Sequence, residues 1–485
     1  MNTVNRREKG QIVVLLAVAI VALLGFAALA VDVGMVYSDR RYDQSVADSS
    51  ALAGAQIAAL TLENENVTYS GGGTGESAFS CAAIDTYINN GTDICSLNEN
   101  TVGDNTTKAA IKACKQAIQR AASNRFATVD GDISDGHGVE VTCAIEDKGP
   151  YEDKYLDIKV MVTSQTNTSF AHLFFGGKLM NTVTAVTRIK PRQRAEYGYA
   201  IVALNPICDK PNEGTFTFNG GGDGYIAVHG GGLYANGCFA FNGSSLDISV
   251  EGGGISYAGP SPKISGSPEI SPGPVDTDTV LPYTPVSEPN CPGPARTVPN
   301  SDNYTLQPGN YDSGISVKNN EVATLLPGLY CLNGDFDIRG MVKLEDDVLG
   351  TGSGVTIYMR SGYVNVTAGG DTQLQSPRTS DAGILNGALE GVLFYVKDSN
   401  PCNTSHNQPC VQVQGGADTI MRGTIFAPKG AIELSGNPGL ESGETVTFGT
   451  QIIGSDVTVN GNVTIDILYE DIDSAPIPAA LNLHK

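Results

Sequence analysis

The stretch FTFNGGGDGYIAVHGGGLYANGCFAFNGSSLDISVEGGG, residues 216–254, repeats one short signature: two apolar residues separated by one position, then a polar residue, then glycine. Its copies are Phe216-Thr-Phe218-Asn-Gly, Ile226-Ala-Val228-His-Gly, Phe239-Ala-Phe241-Asn-Gly and Ile248-Ser-Val250-Glu-Gly. The signature returns as Val411-Gln-Val413-Gln-Gly, Ile432-Glu-Leu434-Ser-Gly and Val457-Thr-Val459-Asn-Gly. Each copy predicts a three-residue strand that buries two side chains on one face, followed by a glycine corner free to adopt positive φ. Short strands between periodic glycine corners wind a β-solenoid, in which each coil buries its apolar stripe on the next. A β-sandwich of hairpins is the alternative architecture.

A second repeat points the same way. Leu306-Gln-Pro308-Gly309-Asn-Tyr311 and Leu325-Leu-Pro327-Gly328-Leu-Tyr330 are spaced by about one coil. Their Pro-Gly pairs form turns, and the flanking Leu and Tyr can stack between rungs. Between the two repeat blocks, residues 259–299 are thick with Pro and Ser and predict a surface excursion in polyproline-like conformation, tied back to the coils by Cys291.

The other end of the chain follows a different period. A basic head (Arg6, Arg7, Lys9) precedes an uncharged apolar run from Ile12 to Val31. Twenty residues at the helical rise span about 30 Å, the thickness of a bilayer's hydrocarbon core. The run predicts a transmembrane helix whose lipid-facing anchor is Ile12, Leu15, Leu16, Ile20, Leu23, Leu24, Phe26, Leu29 and Val31. Positive charge before it, and none after it until Arg40, sets the N-terminus in the cytoplasm and the bulk of the chain outside. A cleaved signal peptide is the competing reading, since Ala28-Leu29-Ala30 forms an A-x-A triplet. Against cleavage, Tyr42, Val46, Ala53, Ile57 and Leu60 carry one apolar stripe past the membrane. Gly10 could precede a prepilin peptidase cut, but Leu15 stands where pilin-like chains carry Glu.

The segment from Arg6 to Gln56 resembles the N-terminal module of TadG-like proteins of the tight-adherence (Flp pilus) assembly family, related to the TadE and TadF pseudopilins. The matching residues are Arg7 and Gly10, Ala30-Val31-Asp32 at the outer end of the span, Arg40-Arg41, and the small-residue run Ala47 to Ala55. The resemblance implies a bitopic envelope protein attached to pilus or surface-adhesion machinery, and no reaction. The segment Tyr304 to Leu468 also resembles the right-handed parallel β-helix regions found in many TadG-like and other surface proteins. Gly25, Ala47, Ala51 and Ala55 are small enough to let the helix pack closely on related membrane subunits.

Between stalk and solenoid the pattern predicts a helix from about Thr107 to Arg125. Two alternating strands (Val139 to Ile145, Leu156 to Val162), a short apolar turn (Ser169 to Phe175) and a third strand (Val183 to Ile189) complete a pilin-like α+β unit. Ten cysteines all lie beyond the span: Cys81, Cys95, Cys114, Cys143, Cys208, Cys238, Cys291, Cys331, Cys402 and Cys410. An even set without CxxC pairs reads as disulfides in an oxidising compartment. Pairing of sequence neighbours is the simplest expectation, and Cys402 with Cys410 the clearest case because a short loop separates them.

Composition excludes several functions. Beyond residue 32 the chain carries 27 Lys and Arg against 50 Asp and Glu, a net charge of −23, which argues against nucleic acid or anionic lipid as a partner. It has no Trp, so no aromatic platform for sugars or bases is advertised. His137, His172, His229, His406 and His484 form no HExxH or HxxxH spacing, and no GxSxG elbow, phosphate-binding loop or DxSxS metal motif occurs. Asp130-Gly-Asp132-Ile-Ser-Asp135-Gly136 begins like a calcium loop but has its Gly at the wrong place and Val141 where Glu belongs. No cofactor is expected. An active site of the β-helix polysaccharide-lyase kind would use Asp335, Asp337, Glu345, Asp346 and Asp347 with Arg339 or Lys343. The simpler reading makes Asp335 and Asp337 outward residues of a strand alternating with Phe336. Nine N-x-S/T triplets, Asn242, Asn365, Asn403 and Asn462 among them, read as polar coil corners.

The expected organisation is a multidomain, mainly β chain. It comprises a cytoplasmic stub (1–11), transmembrane helix (12–31), helical stalk (32–60), pilin-like α+β domain (61–194), first solenoid block (195–258), Pro-rich excursion (259–299), second solenoid block (300–470) and tail (471–485). The expected function is structural: an envelope component that anchors or assists pilus assembly through the membrane and pseudopilin-like membrane subunits. An adhesin binding a surface glycan or protein through its β-helix is the alternative, and a polysaccharide-active enzyme the third class.

Overall fold

The computed structural model describes residues 9–71, 76–124, 126–128, 136–166, 168, 170, 179–208, 214–220, 224–345, 353–367, 372–378, 386–404, 408–415, 419–436, 445–461 and 464–484. The acidic loop at Asp130 to Asp135, most of the apolar turn expected at 169–175, and Asp346, Asp347, His172 and His406 lie outside the described residues.

The apolar run and the stalk are one helix, α1 (Lys9–Asn64), with no break where the membrane reading ends. Two further helices follow, α2 (Ala82–Asn89) and α3 (Asn105–Ser123). Helix α3 starts where the Asp104 side chain accepts the Thr107 N–H at 2.7 Å, satisfying one of the free amides of the first turn. It turns Ala109, Ala110, Ala113, Cys114, Ala117 and Ala121 inward. The three predicted strands form as Gly136–Asp147, Glu152–Thr166 and Leu179–Lys190, paired antiparallel. Val141, Leu156, Ile158, Val160, Val162 and Ile189 are buried against α1 and α3, as the alternation requires.

The tail expected at 471–485 is a correction. Its strand Ala480–His484 pairs antiparallel with Leu179–Lys190 and extends the α+β sheet. The chain thus returns from the solenoid to finish a sheet begun more than 300 residues earlier. Glu76 braces the two crossings, accepting from Arg192 at 2.6 Å and Arg194 at 3.1 Å, while Arg194 also donates to the Ser474 carbonyl at 3.2 Å.

The glycine-cornered repeats form a parallel β-solenoid, which rules out the sandwich of hairpins. One face is a ten-stranded sheet running from Glu269–Ser271 to Asn303–Leu306. A seventeen-stranded sheet wraps the other two faces. Pairing between successive coils is parallel throughout, for example Ile226 with Ile248, Leu306 with Leu325, and Val411 with Ile432. Both repeats are legible in the stack. Tyr311 and Tyr330 stack at 5.9 Å, and the Tyr330 hydroxyl donates to the carbonyls of Leu306 and Leu326 at 2.9 and 2.8 Å. Phe216, Phe218, Phe239 and Phe241 are fully buried and ring-stacked at 4.7–5.6 Å. Burying each such ring stabilises the fold by roughly 1.5–3 kcal/mol.

The signature's polar residue has its own role. The Asn242 amide donates to Asn219 at 3.0 Å, Asn219 to Asn460 at 3.0 Å, and Asn460 to Glu433 at 2.8 Å. This side-chain ladder climbs one corner of the solenoid and satisfies groups that a repeating coil would otherwise crowd together unpaired.

The order of the coils departs from the sequence. The chain enters the solenoid in its middle. Strands Ile201–Ala203, Phe216–Gly220 and Tyr225–His229 pair with Ile452–Gly454, Val457–Gly461 and Thr464–Leu468, so the first coil lies on the last. From there it winds outward to an end coil made of Lys263–Gly266, Glu269–Ser271 and Val275–Asp276. Residues 277–296 then run back across the coils as a strap to the far end, where winding resumes inward. Along this path Thr277 N–H donates to the Tyr257 carbonyl at 2.9 Å, and Leu281 N–H to Asn236 at 2.8 Å. The Tyr395 hydroxyl donates to the Val286 carbonyl at 3.2 Å, Cys291 is disulfide-bonded to Cys331, and Asn310 N–H donates to the Pro294 carbonyl at 2.9 Å. The Pro-rich stretch 259–299 is therefore part coil and part strap rather than a free excursion.

All ten cysteines are paired. Cys208–Cys238, Cys291–Cys331 and Cys402–Cys410 follow the neighbour rule. The first four do not. Cys81 joins Cys143 and Cys95 joins Cys114, a nested pair. The reason is packing: α3 buries Cys114 against the 94–96 turn, which leaves Cys81, at the start of α2, facing the strand that carries Cys143.

Candidate functional site

Every side chain of the expected anchor is bare. Ile12, Leu15, Leu16, Ile20, Leu23, Leu24, Phe26, Leu29 and Val31 are all exposed, from 48% at Ile20 to 71% at Phe26. Among the described residues nothing else covers this stretch, and an apolar helix that long is stable in contact with lipid. The helix is a single-pass membrane anchor with the rest of the chain beyond it.

The first buried residue after the span is Asp32, 3% exposed. Its two carboxylate oxygens accept the Phe170 N–H at 3.2 and 3.1 Å. Further up the same face, Asp39 accepts the Thr166 hydroxyl at 2.7 Å. Asp43, 1% exposed, accepts the Ser164 hydroxyl at 2.5 Å and the Asn181 amide at 2.6 Å. Spacings of seven and four put the three aspartates in one line on the helix. They clasp the hairpin of the second and third antiparallel strands. Sequence reasoning saw Asp32 only as part of a family motif; the periodicity of Asp32, Asp39 and Asp43 was the signal that could have found the clasp.

Above the clasp the contact becomes apolar. Val46, Ala47, Ala51, Ala55, Ala58 and Leu62 are buried against α3 and the sheet. At Gly54 a Cβ would sit 2.7 Å from the Ala113 carbonyl oxygen, so only glycine allows α1 and α3 to approach this closely. This corrects the expected helix-packing set. Ala47, Ala51 and Ala55 are occupied by the chain's own α3 and sheet and are not free for another subunit. Gly25 stands apart, with nothing within 4 Å.

The surface that stays open on this module lies elsewhere. A groove of about 500 Å³ runs between α1 and the strand Ala480–His484, lined by Arg41, Gln44, Ser45, Asp48, Leu52 and Leu483. Leu52 and Leu483 are exposed at 49% and 46%. Among the described residues the strand pairs on one side only, with Leu179–Lys190, and its other edge has no strand partner. An apolar groove beside an open strand edge is chemically suited to a partner helix or an added strand. Sequence reasoning missed it because it joins residues from opposite ends of the chain.

On the solenoid two of the carboxylates considered for catalysis, Asp335 and Asp337, are engaged internally. Asp337 pairs with Arg339 at 3.0 Å and accepts from Asn365 at 2.9 Å, and Asp335 accepts the Tyr363 N–H at 3.0 Å. Asn242 sits near the end of strand Phe239–Gly243, whereas Asn365 is the outward middle residue of strand Val364–Val366 and not a coil corner; each makes a side-chain bond. Among the described residues no cluster of His, Cys, Asp and Glu could hold a metal ion. A second groove, about 590 Å³, opens at the coil where winding resumes and includes Arg296, Asn300, Asp312, Ser316, Lys318 and Glu321.

Residues 10–56 match the family model described as Flp pilus-assembly TadE/G-like. Neither a curated protein nor a solved structure matches the chain. The match covers the anchor, all three clasping aspartates and the α1 packing face from Val46 to Ala55, and it stops before Ala58, Leu62 and the α+β sheet. On these grounds residues 10–56 form a TadE/G-like module, which this chain continues with an α+β sheet and a β-solenoid.

Proposed function

We propose that this chain is a structural envelope component of a Tad-type pilus-assembly system, acting by contact with other membrane subunits and not by catalysis. Its N-terminus lies in the cytoplasm and its sheet and solenoid outside. The observation that carries the reading is the bare span fused without a break to the folded, family-matched stretch of α1. Five disulfides support an extracytoplasmic position, because thiols in the cytoplasm are kept reduced. The groove between α1 and Ala480–His484 is the contact surface. The test is co-purification with Tad assembly subunits from membranes, using the wild type and Leu52→Glu with Leu483→Glu. Both changes are at exposed positions, so the fold should persist while recovery of the partners falls. Recovery equal to wild type would remove the groove from the proposal, and absence of assembly subunits from the wild-type sample would remove the function.

A second reading is favoured by the groove at Arg296 and Lys318, whose mixed cations and carboxylates, Asp312 and Glu321 among them, suit the hydroxyls of a glycan. Adhesion of the whole protein to polysaccharide, lost in Arg296→Ala with Lys318→Ala, distinguishes it.

A further inference from the structure

We propose that the outer end coil of the solenoid, Lys263–Gly266, Glu269–Ser271 and Val275–Asp276, is a self-association surface on which a second copy of this chain is laid head to head about a two-fold axis. The two ends of the solenoid are finished differently. At the far end the chain covers itself. Arg296 N–H donates to the Asn310 carbonyl at 2.7 Å and Asn310 N–H to the Pro294 carbonyl at 2.9 Å, so residues 294–296 lie on the edge of strand Gly309–Tyr311. The core positions there, Tyr304, Leu306, Tyr311, Ile315 and Val317, are all buried. At the outer end each strand pairs on one side only among the described residues, with Phe239–Gly243, Asp247–Glu251 and Ile255–Tyr257. Ile264 stacks over Phe241 and Ile270 over Ile248, both core positions. Yet Ile264 is 60% exposed and Ile270 only partly buried, and Val275 beside them is 59% exposed. An open strand edge over an unfinished core is what a terminal cap removes in other solenoids.

The pattern of the coil selects its own copy as the cap. Head-to-tail stacking is closed off, because residues 294–296 occupy the edge at the far end. Head to head, inversion reverses the sense of winding, so facing strands run antiparallel and opposed residues point to the same side. A three-faced coil can be laid on its two-fold copy in three ways, each with one face on itself and the other two exchanged. Asp276 stacks over the core residue Tyr257 and so takes an inward position. Two of the three ways set Ile264 or Ile270 against that carboxylate. The third exchanges Lys263–Gly266 with Glu269–Ser271 and sets Ile264 opposite Ile270 of the second copy, both inward, twice over. The four isoleucines then close the two cores into one, and Val275–Asp276 meets its own copy at the axis. In this register Lys263 faces Ser271 and Ser265 faces Glu269, so no like charges are opposed between the exchanged strands. Lys263 and Glu269, of opposite sign, fall diagonally across the outer surface, within reach of long side chains.

The test uses the full chain in detergent, with micelles in excess over protein, and reads the protein mass by light scattering. The wild type should contain two chains and Ile264→Asp one, with the thermal midpoint unchanged because Ile264 is exposed. Leu52→Glu with Leu483→Glu should still contain two chains, since that groove lies on the other module. A one-chain wild type overturns the proposal, and so does an Ile264→Asp variant that stays paired. The register is read separately by crosslinking. All ten native cysteines are paired, so an introduced cysteine is the one free thiol. Opposed antiparallel residues lie within disulfide distance. A mixture of Ser265→Cys and Glu269→Cys chains should therefore form a mixed disulfide dimer under mild oxidation, faster than either variant alone. This second readout holds even if Ile264→Asp lowers the thermal midpoint. Crosslinking no faster in the mixture than in the single variants overturns the head-to-head arrangement.

Discussion

The side-chain amide of Asn205 donates to the Asp456 carboxylate at 3.0 Å across 251 positions of sequence. This bond lies at the seam where the first solenoid coil rests on the last. Around it, Ile201 pairs with Ile452 and Phe216 with Val457, so the seam is an ordinary rung in every respect but its connectivity. The consequence is a stack whose two blocks share one core, with neither block presenting a bare coil at its inner end.

Because that core is continuous, damage at the seam should be felt by both blocks. Phe218 is fully buried and stacked on Phe216 and Phe241. Phe218→Ala is expected to cost about 3–5 kcal/mol, the transfer of the ring plus the cavity left behind. Urea unfolding followed by protease susceptibility on both sides of the strap checks it. A shift under 1 kcal/mol, or cleavage confined to residues 195–276, would contradict a shared core.

The strap is fastened by Cys291–Cys331, which closes a loop of 40 residues. Chain-entropy arguments give such a crosslink about 4 kcal/mol. Cys291→Ser with Cys331→Ser should lower the thermal midpoint and open residues 277–296 to protease before the coils. If the strap stays as resistant as in the wild type, its hydrogen bonds alone are sufficient to hold it.

Glu196 lies where the strap crosses the start of the solenoid, and it is fully buried. Its Oε1 accepts the Thr284 N–H at 2.9 Å and hydroxyl at 2.7 Å, whereas Oε2 has no hydrogen-bond partner among the described residues. Burial raises its pKa from 4.5 to about 7, with the bonds from Thr284 opposing the shift. A raised carboxyl pKa means the folded state holds the proton more tightly than the unfolded chain. Its contribution is therefore complete below pH 4.5 and is lost as pH rises toward 7, about 3 kcal/mol in all. Asp473 is also raised by burial, against the pull of Arg378, and adds a slope of the same sign. The difference between wild type and Glu196→Gln isolates Glu196: the variant should lose the decline between pH 4.5 and 7 and match or exceed wild type above it. Parallel stability curves would show that Glu196 does not titrate in this window.

Gly54 and Gly25 occupy the same helix in opposite surroundings. At Gly54 a Cβ would meet Ala113 and Ala117 at 2.7 and 3.1 Å, and at Gly25 nothing lies within 4 Å. Gly54→Val should destabilise the α1–α3 contact by about 1–3 kcal/mol or more, read by unfolding in detergent. Gly25→Leu should leave that stability unchanged. If it nevertheless lowers recovery of partner subunits, Gly25 packs against another span.

Local pattern was enough to read each element in isolation. The run Ile12–Val31 could only be a helix comfortable in lipid, and Phe216-Thr-Phe218-Asn-Gly could only bury two side chains and turn. Cys402 with Cys410 was legible for the same reason, since a loop that short closes on itself. The nested pairing of Cys81, Cys95, Cys114 and Cys143 was not, because it depends on which face of α3 meets the sheet. The groove at Leu52 and Leu483 joins residues that no local period connects.

The sequence by itself determined the membrane helix, the α+β unit and the solenoid coil, because side-chain period and glycine spacing act over a few residues. Only the tertiary structure decided that the coils are sealed in the middle, that a strap carries the chain from one end to the other, and that Ala480–His484 closes the first sheet. Every rung of a parallel solenoid offers nearly the same edge to its neighbour. Which edge meets which is settled by total burial and loop closure, quantities that belong to the whole chain.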